Sequence, residues 1–509
     1  MHHRVWSQEA LHTLIEERMG GYKFIVVSNR EPFLHQYADG EIECQQPASG
    51  MATALHPLLM ASGGTWIAHG SGDADRAVVD ENDHVAVPPE NPAYTLRRVW
   101  LTEQQEAGFY YGMANEGLWP LCHITFTRPI FRPQDWARYR EVNRVFAEAV
   151  LEEAGDAPCF VFIQDYHFCL LPRMLKEMGG RNLVIAHFWH IPWPNREIFR
   201  AFPWSEELLD GMLGSDLLGF HIRYHCQNFM ETVDRGIEAR VDRECWEVTR
   251  GGQLTTVRAY PISIDAEAHE RRAQSAAVDK AMEKWREQLQ LGDCLLGAGI
   301  ERLDYTKGIP DRLRALDYLY ETRPELLGQV TFVQIAVPSR SHLASYQAIE
   351  QEVDALVEQI NTKWGGPGWQ PVVLIKKHHN QTEMMALHRL CRFFVVNSLH
   401  DGMNLVAKEF VASRSDEDGV LILSRFTGAH RELTEALGVN PFAIDETADA
   451  MFRAITMQAA ERQHRMHRLR EQVFYNNVYR WAGKILSKIL KFDFPESVAD
   501  ETALDLLPE

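Results

Sequence analysis

The feature that most restricts the fold is the alternation of short apolar runs with stretches of helical pattern along the whole 509-residue chain. Runs of about four to eight residues suit buried strands, and strands that alternate with helices build parallel α/β sheets. In the first half these runs are Phe24–Val27, Phe160–Ile163, Leu183–Phe188 and Leu217–Phe220. The second half repeats the theme at Leu295–Ala298, Val330–Ala336, Val372–Ile375, Phe393–Val396 and Val420–Leu423. Open α/β sheets bind ligands beyond the carboxyl ends of their strands, so the polar residues that follow these runs are the ones to examine.

The pattern is interrupted once, between Asp265 and Leu291, by a charged, Ala-rich stretch with helical spacing and no strand. It reads as the connection between two α/β domains, 1–264 and 265–470. Residues 471–492 form a final helix, with Phe474, Val478, Trp481, Ile485 and Ile489 at a 3.6-residue period that predicts one long amphipathic element. The acidic tail, 493–509, reads as a frayed end.

Charge narrows the function. With 52 basic against 71 acidic residues and a net charge of −19, the surface disfavours nucleic acid and anionic membrane. A small anion held by a few local cations stays open. The eight cysteines form no C-x-x-C pair, which predicts reduced thiols with neither a disulfide framework nor a zinc site. The N-terminal stretch has no apolar core of a signal peptide, and no apolar run approaches the roughly 18 residues of a membrane span. A soluble, cytoplasmic protein is expected.

Two segments carry the chemistry. GAGIERLDYTKG, Gly297–Gly308, opens like a dinucleotide fingerprint, but Arg302 stands where the third glycine is needed. What remains is Arg302 and Lys307 in a loop after a strand, a pair suited to a phosphate or diphosphate, or simply a solvated basic pair. LHDGMNLVAKEF, Leu399–Phe410, places a turn at Asp401-Gly402 and the backbone N–H groups of Met403, Asn404 and Leu405 at a helix N-terminus, where an anion is favoured. Asp401 could accept sugar hydroxyls and Glu409 could reach a ribose; the plainer alternatives are an N-cap and a surface charge. Asp165 and His167 in IQDYH, and His190 in HFWHIPWP, follow strands. His187 and His190 point to opposite faces by the strand period, which argues against a metal there. Asp73-Ala74-Asp75 could hold a metal on a diphosphate but reads better as a surface turn. His378-His379, His464 and His467 read as solvated residues. No metal and no cofactor are expected.

Together these motifs resemble the trehalose-6-phosphate synthase family, from about Phe24 to Trp481. The resemblance is carried by SNR (Ser28–Arg30), LWP (Leu118–Pro120), DYH (Asp165–His167), HIPWP (His190–Pro194), DLLGFH (Asp216–His221), ERLDYTKGIPDR (Glu301–Arg312) and DGMNLVAKEF (Asp401–Phe410). It implies a GT-B fold, α/β, with two facing Rossmann-like domains and the active site in the cleft between them. It also implies a metal-independent retaining transfer of glucose from a nucleotide-glucose to a sugar phosphate. By the resemblance Arg302 and Lys307 grip the donor diphosphate, Asp401 holds the transferred glucose, and Gly402, Met403, Asn404 and Leu405 meet donor oxygens. Glu409 is implied on the donor ribose, His190 beside the donor sugar and Gly50 near the donor phosphates. Arg30, Tyr110, Trp119 and Arg340 are implied around the acceptor, with Asp165 where the two substrates meet. The C-terminal helix is implied to cross back to the first domain, and the family allows a homo-oligomer and functional coupling to a trehalose-6-phosphate phosphatase.

The departures concern the acceptor. The first loop has Ser49-Gly50 where the family has two glycines, and His69 stands where a second tryptophan lines the acceptor pocket. SNREPF and Arg97–Pro120 resemble instead a sister group that makes glucosylglycerol phosphate from ADP-glucose and glycerol 3-phosphate. Arg340, HIPWP and YPISID (Tyr260–Asp265) lean toward glucose 6-phosphate, with Arg30 and Arg340 clamping its phosphate. Glucose 6-phosphate is therefore the expected acceptor and UDP-glucose the expected donor. The rivals are the sister activity and a catalytically silent regulatory member of the family.

Overall fold

The computed structural model describes residues 6–46, 50–180 and 182–492; Ser49 and the acidic tail 493–509 lie outside them. The chain divides into two compact units, one running to Ile262 and resuming at Val478, the other Ser263–Asn477.

In the first unit a ten-stranded sheet has a parallel centre, in spatial order Gln253–Ala259, Leu217–Phe220, Leu183–Phe188, Cys159–Gln164, Lys23–Val27, Thr65–His69 and Tyr94–Val99. Cys159–Gln164 and Leu183–Phe188 are buried at every residue, as strands covered on both faces must be. The strand order reverses between Lys23–Val27 and Cys159–Gln164, the kind of switch point beyond which open α/β sheets bind ligands, and Ser28–Arg30 and Asp165 leave the sheet there.

The sheet of the second unit is parallel throughout: Val372–Ile375, Val330–Val337, Leu295–Arg302, Phe393–Val396, Val420–Ser424 and Leu437–Val439. Its switch point lies between Leu295–Arg302 and Phe393–Val396, and beyond it lie Lys307 and Asp401. The connecting stretch forms two helices, Ala266–Ala273 and Ala276–Gln288, both within this unit.

Expectations need correction at several points. The periodic run from Phe474 to Ile489 is not one helix: Ala459–Tyr475 ends at Asn476-Asn477, and Val478–Ile489 starts afresh in the first unit, with Trp481 against Phe162 and Phe188. Hydrophobic spacing survives a break of two residues, so period alone could not reveal it. The strand at Leu295 does not end at Ala298 but runs to Arg302. Its glycines serve packing, since a Cβ on Gly297 would lie 2.3 Å from the Phe393 ring and one on Gly299 would lie 2.0 Å from Arg312 Nη1. Asp73-Ala74-Asp75 is no free surface turn, because Asp75 is fully buried.

Asp75 belongs to a charge cluster that fastens the Arg30 loop and the hairpin Leu34–Ala38/Glu41–Gln45 to the sheet. Arg98 donates through Nε to Glu31 (2.8 Å), and its Nη2 lies 2.7 Å from Asp75 Oδ1 and 2.8 Å from His35 Nδ1. The amides of His35 and Gly72 donate to Asp75, at 2.8 and 2.7 Å, and Tyr37 N donates to Asp73 at 2.9 Å. Burial and the neighbouring Asp75 push the Glu31 carboxyl above its ordinary range. Of the cysteines, Cys44 and Cys245 are exposed, and all eight are free thiols. No helix among the described residues is long and apolar enough to cross a membrane. His379 is not solvated as expected: its Nδ1 lies 2.9 Å from Glu383 and its ring packs on Trp285.

Candidate active site

In the second unit the site is built on a buried platform. Arg312, fully enclosed, forks onto Glu301 at 2.8 and 2.6 Å and also donates to Gln334 (2.7 Å) and Asn397 (2.8 Å). Three neighbouring strands are thereby tied to one guanidinium, and the bidentate fork onto Glu301 fixes its orientation. Asn397 Nδ2 in turn donates to Gly308 O at 3.0 Å. Gly308 is left-handed (φ 65°), and a Cβ there would lie 2.4 Å from Asn397 O. Only glycine turns the chain this tightly into the helix Ile309–Thr322.

On this platform Arg302 ends its strand and Lys307 ends the single 3₁₀ turn Tyr305–Lys307, rather than both lying in an open loop. Lys307 Nζ lies 2.6 Å from Asp401 Oδ2, with both side chains largely covered. Asn404 Nδ2 also donates to that oxygen, at 3.2 Å. Leu399 N donates to Thr306 O (2.8 Å), which joins the two loops through their backbones. Asp401 is therefore not a helix cap. Asn404 is the cap of Leu405–Ser413, held left-handed at φ 79° and accepting from Ala407 N at 3.2 Å. Glu409 is half-buried in the second turn of that helix, and burial pushes its carboxyl up to about 7.

Sequence reasoning passed over Asp304, which stands between Arg302 and Lys307 and is fully buried. Its Oδ1 accepts from Thr306 N (3.0 Å) and Thr306 Oγ1 (2.8 Å), and its Oδ2 accepts from Tyr346 OH (3.1 Å). Burial pushes its pKa up, but Arg340, Arg302 and Lys307 pull harder and leave it below the ordinary range. Arg340, at φ 50°, places Nη1 3.7 Å from Asp304 Oδ2 and donates to the Tyr346 hydroxyl. The signal available in the sequence was an acid flanked by two cations in ERLDYTKG.

In the first unit, Arg30 is exposed and donates to Tyr110 OH at 3.4 Å. Ser28 Oγ, which accepts from Trp66 Nε1 at 2.8 Å, donates to Arg30 O at 2.6 Å and so fixes the SNR turn. Tyr110 rides on a π-helix, Ala107–Leu118, which the sequence did not foretell; such wide turns gather at functional sites. Its ring stacks on His167 at 5.8 Å, and Trp119, just past the π-helix, packs on Tyr166 at 5.8 Å. His69 is half-buried, its Nδ1 3.1 Å from Val99 O. Gly50 is the exposed first residue of the helix Gly50–Ser62.

Asp165 has φ 71° and ψ −178°, a conformation costly for any residue but glycine and one that concentrates at active sites. Its Oδ1 accepts from His190 N at 3.1 Å, and its carbonyl oxygen lies 2.9 Å from His187 Nε2. His190 Nε2 lies 2.9 Å from Gln164 Oε1, whose amide is oriented by a 3.4 Å bond from its Nε2 to Phe162 O. Nε2 therefore carries the proton and Nδ1 the lone pair. Burial, with help from His187, lowers the His190 pKa to about 3, so the ring is neutral at physiological pH. Trp193 of HIPWP serves the core, stacked on Phe199 at 4.7 Å. Among the described residues no group of His, Cys, Asp and Glu forms a metal site.

Two Rossmann-like units, one with a cationic loop beside a carboxylate at its switch point, define a glycosyltransferase of the GT-B class. The glycosyltransferase family 20 model matches residues 22–491, and the chain belongs to that family, the trehalose-6-phosphate synthases. The trehalose-6-phosphate synthase of Mycolicibacterium vanbaalenii is 37% identical over 482 residues, covering 93% of this chain and 97% of that protein. That of Mycolicibacterium smegmatis is 37% identical over 491 residues and 95% of both chains. Among solved structures, the trehalose-6-phosphate synthase structure from E. coli bound with UDP-2-fluoro glucose superposes with a TM-score of 0.83 at 31% identity, covering 92% of this chain and 99% of that one. A UDP-forming α,α-trehalose-phosphate synthase from Burkholderia xenovorans, in complex with glucose-6-phosphate, gives 0.82 at 29% identity over 92% of this chain and 99% of that one.

Proposed function

We propose that this glycosyltransferase moves the glucosyl group of UDP-glucose, with retention of configuration, onto glucose 6-phosphate, giving α,α-trehalose 6-phosphate and UDP. The observation that carries the reading is the placing of three cations near the buried Asp304: Arg340 Nη1 lies 3.7 Å from its Oδ2, Arg302 ends the strand before it, and Lys307 ends the turn after it. Three cations on one unit suit a reaction in which both substrates bear phosphate. Relatives that bind a UDP-glucose analogue and glucose 6-phosphate support the same pair of substrates.

Chemically, the bond from the anomeric carbon to the diphosphate oxygen breaks heterolytically. Negative charge then grows on the diphosphate, where Arg302 and Lys307 stabilise it without reorganising. Asp401 accepts glucose hydroxyls, and the neutral His190 offers Nδ1 as a further acceptor. The acceptor hydroxyl adds on the face the diphosphate leaves, and its proton passes to a phosphate oxygen of the leaving group. Removal of the product's phosphate by a phosphatase would leave a neutral disaccharide suited to an osmolyte.

The sister-group features weigh less once the packing is considered. Glu31 of the Arg-Glu-Pro loop is committed to Arg98 and Ser71. The two stretches that resemble glucosylglycerol-phosphate synthases thus meet in one structural ion pair, which counts once and concerns loop anchoring. The deciding assay offers UDP-, ADP- and GDP-glucose, each with glucose 6-phosphate or glycerol 3-phosphate, and identifies the product. Trehalose 6-phosphate from UDP-glucose is expected. Product from glycerol 3-phosphate alone would overturn the acceptor, and no turnover in any pairing would favour a regulatory member.

The ribose role of Glu409 has a pH signature. Its carboxyl, at about 7, is protonated below that pH and ionised above it, and only the ionised form offers two charged acceptor oxygens to the ribose hydroxyls. The donor KM should therefore rise about tenfold as pH falls from 8 to 6, the change in ionised fraction for such a pKa. Glu409→Gln should raise the donor KM at pH 8 and flatten the profile. A wild-type donor KM that stays level across this range would exclude the role.

A further inference from the structure

Asp304 is fully buried, stands in the chain between Arg302 and Lys307, and has Arg340 3.7 Å from its Oδ2. A carboxylate taken wholly out of water is strongly destabilising unless it is paired, so its place implies a task. Its two oxygens are divided. Oδ1 caps the 3₁₀ turn through Thr306, and Asp304 O accepts from Lys307 N at 3.0 Å, so this side shapes the loop that presents Lys307. Oδ2 faces Arg340 at 3.7 Å and accepts from the Tyr346 hydroxyl, which itself accepts from Arg340 Nη1. The Arg340 head also lies over the Tyr346 ring, 5.4 Å from its centroid. Tyr346 stands in the first turn of the helix Ala344–Trp364, a rigid support for a side chain that would otherwise keep much rotational freedom.

We propose that Asp304 is a positioning residue that aims Arg340 at the acceptor phosphate through Tyr346 while its other oxygen holds the donor loop, so that both anion subsites of this unit share one buried counter-ion. The proposal rests on the reading of Arg340 as the ligand of a sugar phosphate. It assigns Asp304 no contact with either substrate. Its effect is to keep three like charges close together before any anion arrives, and to hold one of them in a single orientation.

Asp304→Asn separates this role from a merely structural one. The asparagine carbonyl can still cap Thr306, whereas its amide turns a donor toward Tyr346 and Arg340. The acceptor KM should rise about tenfold or more, the effect of losing a charge-assisted hydrogen bond. The Kd for UDP should stay level or tighten, because the cations lose a counter-charge. Tyr346→Phe leaves the carboxylate and removes only the bridging hydroxyl; the acceptor KM should again rise, by several-fold, with UDP binding unchanged. Asp304→Glu, which restores the charge, should recover part of the acceptor affinity. UDP and acceptor affinities that weaken together in both variants would reduce Asp304 to a structural role and overturn the proposal. So would an acceptor KM within about twofold of wild type in both. If Asp304→Asn does not fold, Tyr346→Phe decides alone. The wild-type protein is assayed in parallel with glucose 6-phosphate and glycerol 3-phosphate. Binding of UDP without turnover of either marks the failure of the functional reading, and with it the proposal; turnover by the wild type with unaltered variants marks the failure of the proposal only.

Discussion

Arg302→Ala is expected to lower kcat by about a thousandfold, the upper end of what removing one preorganised charge-stabilising group takes from a transition state. The loss should fall on kcat more than on the acceptor KM, since the charge that Arg302 would meet grows as the diphosphate departs. Lys307 alone cannot compensate, because at rest its ammonium is shared with Asp401 at 2.6 Å. Arg302→Lys should restore little, as a point charge on a flexible stem does not reproduce the planar fork of a guanidinium. Steady-state kinetics with UDP-glucose and glucose 6-phosphate make the check. A kcat within about threefold of wild type would remove Arg302 from the mechanism.

Arg312→Met should produce the largest loss of stability. The guanidinium is fully enclosed and serves Glu301, Gln334 and Asn397 at once. Methionine fills much of its volume but leaves the Glu301 carboxylate buried without its cation, a change that destabilises by about 3–5 kcal/mol. For a unit of this size the melting temperature should fall by about 10 °C. Adding Glu301→Gln removes the stranded charge and should recover part of the loss, so the two substitutions will not be additive. Thermal unfolding of the full-length protein, followed in the second unit by hydrogen exchange, reads the effect. An Arg312→Met variant as stable as wild type would show that the platform is not what holds the strand ends together.

The nine runs were legible because each is apolar along its length, and every one of them is a strand. The edges were not. Leu34–Ala38 and Glu41–Gln45 are polar and carry no such signal, and the π-helix has the same composition as an ordinary helix. The candidate site residues at strand ends were named from order along the chain and the family motifs. Their pairings could not, because Lys307 and Asp401 are 94 residues apart and Glu31 and Arg98 are 67 apart. Spacing in sequence says nothing about distances of that kind. Asp75 was misjudged for the same reason: its partners come from two other segments, so a D-x-D in a polar stretch looked exposed.

The ion pair of Lys307 with Asp401 makes the resting site a lock with two wards. On the proposed reading, inorganic phosphate can draw Lys307 away but leaves the largely covered Asp401 without its cation. Free glucose can satisfy Asp401 but leaves the ammonium with nothing to face. Each holds half of the key, and each must break a short, shielded contact to use it. On the function proposed above, a molecule that joins a diphosphate to a hexose would turn both wards in one step, where phosphate or sugar alone would break the contact for half the gain.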